Sequence, residues 1–245
     1  MRHTRGQEKV SLRVVQLSDV HISTTSDVDP GARAAVLAAE LARLSADLVV
    51  VTGDLAEVDP TSEAQAETAH TWGRTLEKVL GVPLLVIPGN HDVGENDVHP
   101  EIAPEWRGAL VSSELVAAFR RRWGSDRFVY SHAATVLVGV NGQLLGSGLP
   151  EELEQEEWLL SQLQDLGAPW VLLCHQPLHL PDGSSPTRHW GLPPRHARDH
   201  LWELLRDRRP AAVLSGHIHA YSARHPGGET AQITCPSFSH TVPEE

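Results

Sequence analysis

Five short clusters in the 245-residue chain carry side chains able to bind a metal or move a proton: Asp19-Val20-His21, Gly53-Asp54, Gly89-Asn90-His91-Asp92, Cys174-His175 and His217-Ile218-His219. Carboxylate and amide oxygens and imidazole nitrogens all offer lone pairs, and imidazole is the commonest protein ligand for transition metals. The chain holds fifteen histidines. Taken singly, each cluster is a weak signal. An Asp-x-His pair is commonplace, Gly-Asp after a strand is more often a turn because both residues favour turns, and His175 alone could be a satisfied core histidine. Gly89-Asn90-His91-Asp92 is more specific, and His217-x-His219 has the spacing of a two-ligand turn.

The elements that precede these clusters give them a common meaning. Residues 12–17 (LRVVQL) read as a buried strand running into Ser18-Asp19-Val20-His21, residues 47–52 are a β-branched run ended by Gly53-Asp54, and residues 82–87 form a third strand stopped by Pro88 to Asp92. Residues 170–174 and 211–214 deliver His175 and the Gly216-to-His219 segment in the same way. Helical patterns fall at 30–45, opened by Pro30, and at 62–80, 112–123, 150–166 and a stretch ending near 209. Residues 127–130 and 135–140 pair plausibly as antiparallel strands, and two short strands near 221–225 and 230–234 close the chain. Strands that alternate with helices bring functional groups together at their carboxyl ends. Five such ends could share one site.

The ordered set LSDVH, TGDL, PGNHD, LLCHQP and SGHIH resembles the signature of the calcineurin-like metallophosphoesterases, with every block present between Asp19 and His219. The resemblance implies an α/β fold, a four-layer αββα sandwich of two mixed β-sheets flanked by helices. The length suits a single domain over 1–245, and the polar residues 1–9 read as flexible. The resemblance also implies two divalent metal ions. Asp19, His21 and His219 would hold one, Asn90, His175 and His217 the other, and Asp54 would bridge them. Mixed nitrogen and oxygen donors suit manganese, iron or zinc better than calcium or magnesium. The implied reaction is hydrolysis of a phosphodiester or phosphomonoester by hydroxide held between the cations. His91, one residue from a ligand, is the candidate donor to the leaving group, with Asp92 accepting its ring proton and fixing its tautomer. Asn90 and His91 would also contact substrate.

Departures from neighbouring patterns narrow the resemblance. Gly53-Asp54 is followed by Leu55-Ala56-Glu57 rather than the tyrosine of purple acid phosphatases, and SDVH and GDLAEV stand where protein serine/threonine phosphatases carry GDxHG and GDxVDRG. The pattern is most similar to small bacterial enzymes resembling class III cyclic nucleotide phosphodiesterases. Gly139 to Gly142 followed by Gly148-Leu149 is similar to a strand, loop and Gly-Leu before a helix in those enzymes, or is simply an Asn-Gly turn.

Plainer readings exist for individual residues. Asp92 could be a structural cap. Cys174 points away from the site if its strand is regular. His179, His189, His196, His200 and His225 read as surface residues, and His99 as a solvated loop histidine. The formal charge of −12 disfavours a nucleic-acid partner. No apolar run is long enough to span a membrane, no secretory h-region opens the chain, and two cysteines suit a reducing cytoplasm. The expectation is a cytoplasmic enzyme acting on a small phosphorylated substrate, as a monomer or a homodimer. A nuclease of the same superfamily and a non-catalytic metal-binding scaffold are the alternatives.

Overall fold

Apolar residues alternate along the strands so that each strand feeds two different cores, and that alternation builds the layers. The computed structural model describes residues 11–24, 29–57, 59–97, 108–132, 135–164, 166, 169–225 and 230–239; the segment read as flexible at 1–9, and His99, lie outside them. Strands β1 (Val14–Leu17), β2 (Leu48–Thr52) and β3 (Leu84–Ile87) form one sheet, paired in parallel. A second sheet holds β4 (Phe128–His132), β5 (Thr135–Gly139), β6 (Trp170–Leu173), β7 (Ala212–Ser215), β8 (Ser222–Arg224) and β9 (Ala231–Thr234). Its order is β4-β5-β6-β7-β9-β8, with antiparallel pairs β4–β5 and β8–β9 at its edges.

On β2, Val49 and Val51 enter a core with Leu37, Leu41, Trp72 and Leu76, contributed by helices α1 (Pro30–Arg43) and α2 (Glu63–Leu80). Leu48 and Val50 point the other way, into a core shared with Ile87, Leu137 and Leu173. On the second sheet, Leu173 faces that shared core. Trp170, Leu172 and the following Cys174 face a third core with Leu159, Leu163 and Leu201. Period-two alternation between two buried faces requires apolar cover on both sides. The resulting order is helix, sheet, sheet, helix, the expected architecture, with the mixed pairing carried by the larger sheet.

Local chemistry sets the helix ends. Asp29 accepts from Ala32 N at 3.0 Å ahead of Pro30, Ser62 accepts from Gln65 N, and Gly81 closes α2 at φ 68°. One local reading changes: residues 90–93, expected only to stop a strand, make one helical turn, α3 (Asn90–Val93). After β5, Asn141 caps a 3-10 turn at Gly142–Leu144, and Gly148-Leu149 leads into α5 (Pro150–Gln164), the expected strand, loop and Gly-Leu before a helix. The helices α4 (Ser113–Trp123) and α6 (Arg195–Leu204) complete the outer layers.

Candidate metal centre

The parallel register aligns the strand ends that carry the clusters. Leu17 lies beside Val51, Thr52 beside Ile87, and Leu173 beside Leu214. Past β1 the chain continues along the loop after β2, through Asp19 N to Gly53 O at 3.1 Å and His21 N to Asp54 O at 3.0 Å. Gln16 Nε2 joins the sheets by donating to Thr52 Oγ1 and to Ser215 O, each at 3.0 Å. Six non-glycine residues among those described have positive φ, and five are Asp19, His21, Asp54, His217 and His219. Such backbone is costly for side-chain-bearing residues and gathers at functional sites. Glycine provides the remaining room: a Cβ at Gly89 would overlap Asp54 Oδ1, and one at Gly216 would overlap Ser18 Oγ and Asp19 Oδ2.

All seven expected ligands converge. Asp19, His21 and His219 form one group, in which His219 Nε2 lies 3.2 Å from Asp19 Oδ1 and 3.2 Å from His21 Nε2. A second group places His175 Nε2 at 3.0 Å from Asn90 Oδ1, 3.1 Å from His217 Nδ1 and 3.3 Å from Asp54 Oδ2. The same Asp54 Oδ2 lies 3.9 Å from His21 Nε2, between the groups. His91 Nε2 also stands 3.9 Å from Asp54 Oδ2, so His91 reaches the centre from the turn α3.

Backbone carbonyls behind the ring set the tautomers. His21 Nδ1 meets Glu57 O at 3.1 Å, His175 Nδ1 meets Thr52 O at 2.7 Å, and His217 Nε2 meets Trp190 O at 3.2 Å. Each carbonyl can only accept, so the proton sits on that nitrogen and the other nitrogen turns a lone pair inward. Asn90 Nδ2 donates to Glu95 Oε1 at 2.7 Å, which turns its Oδ1 inward too. Lone pairs from His175, His217, Asn90 and Asp54 then face one another at about hydrogen-bond distance with nothing but a cation to reconcile them. The donor set therefore fits divalent metal.

Without a cation, a proton would take that part. Burial would lower the His175 imidazole, but the neighbouring Asp54 carboxylate outweighs it and raises the group to about 10. Burial and the His175 charge push His217 down to about 3. Burial opposes ionisation of Asp54 as well, yet His175 and His91 hold it well below the usual carboxylate range. The His175 contribution to stability is full below its ordinary value near 6.5 and is lost as pH rises toward 10. A cation entering at neutral pH must displace that proton. Loading is expected to release about one proton at the His175 group and to tighten roughly tenfold per pH unit between 6.5 and 9. Calorimetry in two buffers of different ionisation enthalpy measures the release directly; loading with no proton released at pH 7.5 contradicts it.

Asp92 departs from its expected role. Its carboxylate accepts from Leu55 N at 3.1 Å, Ala56 N at 3.1 Å and Gly89 N at 2.9 Å, bracketing the loop after β2 to the loop after β3. His91 Nδ1 instead meets the Glu57 carbonyl, the oxygen that also orients His21. The turn geometry explains the correction: adjacent residues on one helical turn project in different directions. Burial and the Asp54 charge raise Asp92 to about 6. The Asp92→Ala variant leaves three buried N–H groups unpaired and is expected to lose about 2–4 kcal/mol of stability, partly offset by removing a buried charge. Denaturant midpoints test this. A stable variant that turns over as slowly as His91→Ala would restore the tautomer role.

Sequence reasoning missed Glu95 and the carbonyls of Thr52, Glu57 and Trp190, because a backbone oxygen has no sequence signature. Among the histidines read as surface, His200 pairs with Glu156 and is exposed, as are His196 and His225, but His179 and His189 are half-buried. Cys174 lies in the core, as expected. A cavity of about 530 Å³ opens beside His91, lined by Leu55, Ala56, Leu115, Phe119, Arg121 and Arg122 among others.

The model of the calcineurin-like phosphoesterase family matches residues 12–221. The chain belongs to that family. It is 28% identical over 187 residues to a bovine protein named serine/threonine-protein phosphatase CPPED1, covering 73% of this chain and 54% of that one. It is 25% identical over 238 residues to a probable cyclic nucleotide phosphodiesterase of Psychrobacter arcticus, covering 91% and 79%. The chain spans about half the length of the first curated relatives it matches. In fold it is similar to a zebrafish dimetal phosphatase, with a TM-score of 0.57 at 15% identity, covering 95% of this chain and 89% of that one. No helix among the described residues is long and apolar enough to cross a membrane.

Proposed function

We propose that this chain is a two-metal phosphoesterase acting on a small phosphorylated substrate, and that Asp54 carries the reading by placing one carboxylate oxygen between two complete donor groups. Asp19, His21 and His219 would hold one cation and Asn90, His175 and His217 the other, with manganese, iron and zinc matching the mixed donors. When bound, such cations acidify a water and offset charge on the phosphoryl group. The chain's own residues do the rest. Thr52, Glu57 and Trp190 fix the ring orientations through their carbonyls, and Glu95 fixes the Asn90 amide. His91, its Nδ1 held by Glu57 O, presents Nε2 toward Asp54 and the centre, where it can donate to a leaving oxygen.

The relatives support both a diesterase and a monoesterase reading. The bovine name also returns protein phosphatase activity to consideration, although the motifs of that class are missing here. Two unpaired cysteines accord with a reducing cytoplasm. The test is turnover of bis(p-nitrophenyl) phosphate, p-nitrophenyl phosphate and cyclic AMP by protein stripped and reloaded with manganese. Metal-dependent hydrolysis is the expected result, and the substrate ranking separates the readings. No turnover with any metal despite two bound ions would leave the scaffold alternative.

A further inference from the structure

The loop between β6 and α6 carries an aromatic residue, Trp190, against His217 of the metal centre. Trp190 is 40% exposed, yet its backbone is fixed: its carbonyl meets His217 Nε2 at 3.2 Å and accepts from Gln176 Nε2 at 3.5 Å. Gln176 is in turn held by Asn96 Nδ2 at 2.9 Å. The indole meets the His217 ring edge-on, with centroids 5.3 Å apart, and stacks on His189 at 5.6 Å. His189 is locked as well, its Nδ1 accepting from Gly191 N at 3.0 Å. Gly191 lets the loop close on Ile218, since a Cβ there would crowd the Ile218 side chain.

A single buried guanidinium staples the base of this loop. Arg198 is 2% exposed and donates to Pro193 O at 2.9 Å, Pro186 O at 2.5 Å, Ser185 Oγ at 2.5 Å and Leu178 O at 3.2 Å. All four hydrogen-bond acceptors are neutral, and burial and the Arg195 charge lower the group from its ordinary value against the pull of the Asp199 carboxylate. Pro186 and Pro193 flank Trp190, and clamping both limits the loop's freedom. An aromatic face kept partly in solvent, on a rigid loop, in ring contact with a residue of the second donor group, suits stacking against a flat partner.

We propose that residues 186–193 form a preorganised platform and that Trp190 determines specificity, favouring phosphate esters whose organic group is planar and aromatic on the His217 side. This rests on the phosphoesterase reading, because it needs phosphate at the donor groups. The test is equilibrium binding, by calorimetry, of benzylphosphonate and cyclohexylmethylphosphonate to the manganese-loaded protein. The two have the same carbon skeleton and a C–P bond that is not hydrolysed, and differ in their π face. Wild-type protein is expected to prefer the benzyl compound about five- to tenfold. Trp190→Ala and Trp190→Leu should bring the ratio near one, while Trp190→Phe keeps most of it. A purely structural Trp190 would change both affinities together and leave the ratio alone. Equal binding by wild type, a preference surviving in the Ala and Leu variants, or no measurable binding of the benzyl compound overturns the platform. Trp190-dependent preference without hydrolysis of any ester would overturn the phosphoesterase reading instead, and hydrolysis without preference would overturn the platform alone.

Discussion

Asp54→Asn is expected to lower turnover by roughly three orders of magnitude and to reduce bound metal from two ions to one at most. The change keeps volume and the Oδ1 that accepts from His91 N at 2.9 Å, so the loops after β2 and β3 stay joined. What it removes is the one oxygen placed between the donor groups, 3.3 Å from His175 Nε2 and 3.9 Å from His21 Nε2, together with its negative charge. An amide NH₂ turned toward those imidazoles would also repel a cation. Two consequences can be measured independently of turnover. Metal analysis after dialysis counts the ions. The proton released on loading falls, because the Asp54 carboxylate is what raises His175 to about 10. A variant with two tightly bound ions and near-normal activity would show that Asp54 is not the bridge.

His91→Ala is expected to slow turnover by about 10²–10⁴-fold while both ions remain bound. His91 Nε2 stands 3.9 Å from Asp54 Oδ2 and its Nδ1 is held by the Glu57 carbonyl, so it can hold a proton at the centre for a leaving oxygen. His91 also stands with His21 and Asp54 in a group that could itself hold a metal. The variant separates these roles: loss of an ion along with activity makes His91 a ligand, and loss of activity alone makes it the proton donor. The effect should shrink with p-nitrophenyl esters, whose leaving group needs little protonation, relative to alkyl esters. Equal loss on both ester types argues against proton donation.

The fold was legible wherever side-chain pattern and backbone demand coincide. The run LVVVT at 48–52 is apolar at every position but its last, which a strand buried on two faces requires, and its alternation assigns Val49 and Val51 to one core and Leu48 and Val50 to another. Pro30 marked the start of a helix because its φ preference is a local property. The polar ends of β1, β2, β3, β6 and β7 held the candidate ligands, since side chains at strand ends are placed by rigid backbone. Even the positive φ values at Asp19, His21, Asp54, His217 and His219 belong to short motifs that could be recognised by order alone.

What the chain's order could not disclose was which neighbour each of these groups would meet. Asp92 follows His91, and adjacency in sequence suggested a hydrogen-bonded pair; one turn of helix sends the two side chains apart, to three backbone amides and to the Glu57 carbonyl. The same holds for Glu95 on Asn90 and for Trp190 on His217, contacts made across loops. His189 reads as a surface residue of the proline-rich loop and Arg198 as one polar residue of α6, yet one stacks on Trp190 and the other lies buried as the staple of that loop. The order of the motifs, through the family they resemble, gave the expected ligand set and layers, and the strand and helix periods were compatible with them. The tertiary structure decided the partners of each ring and amide, because a backbone carbonyl carries no sequence signature and becomes specific only where the folded chain places it.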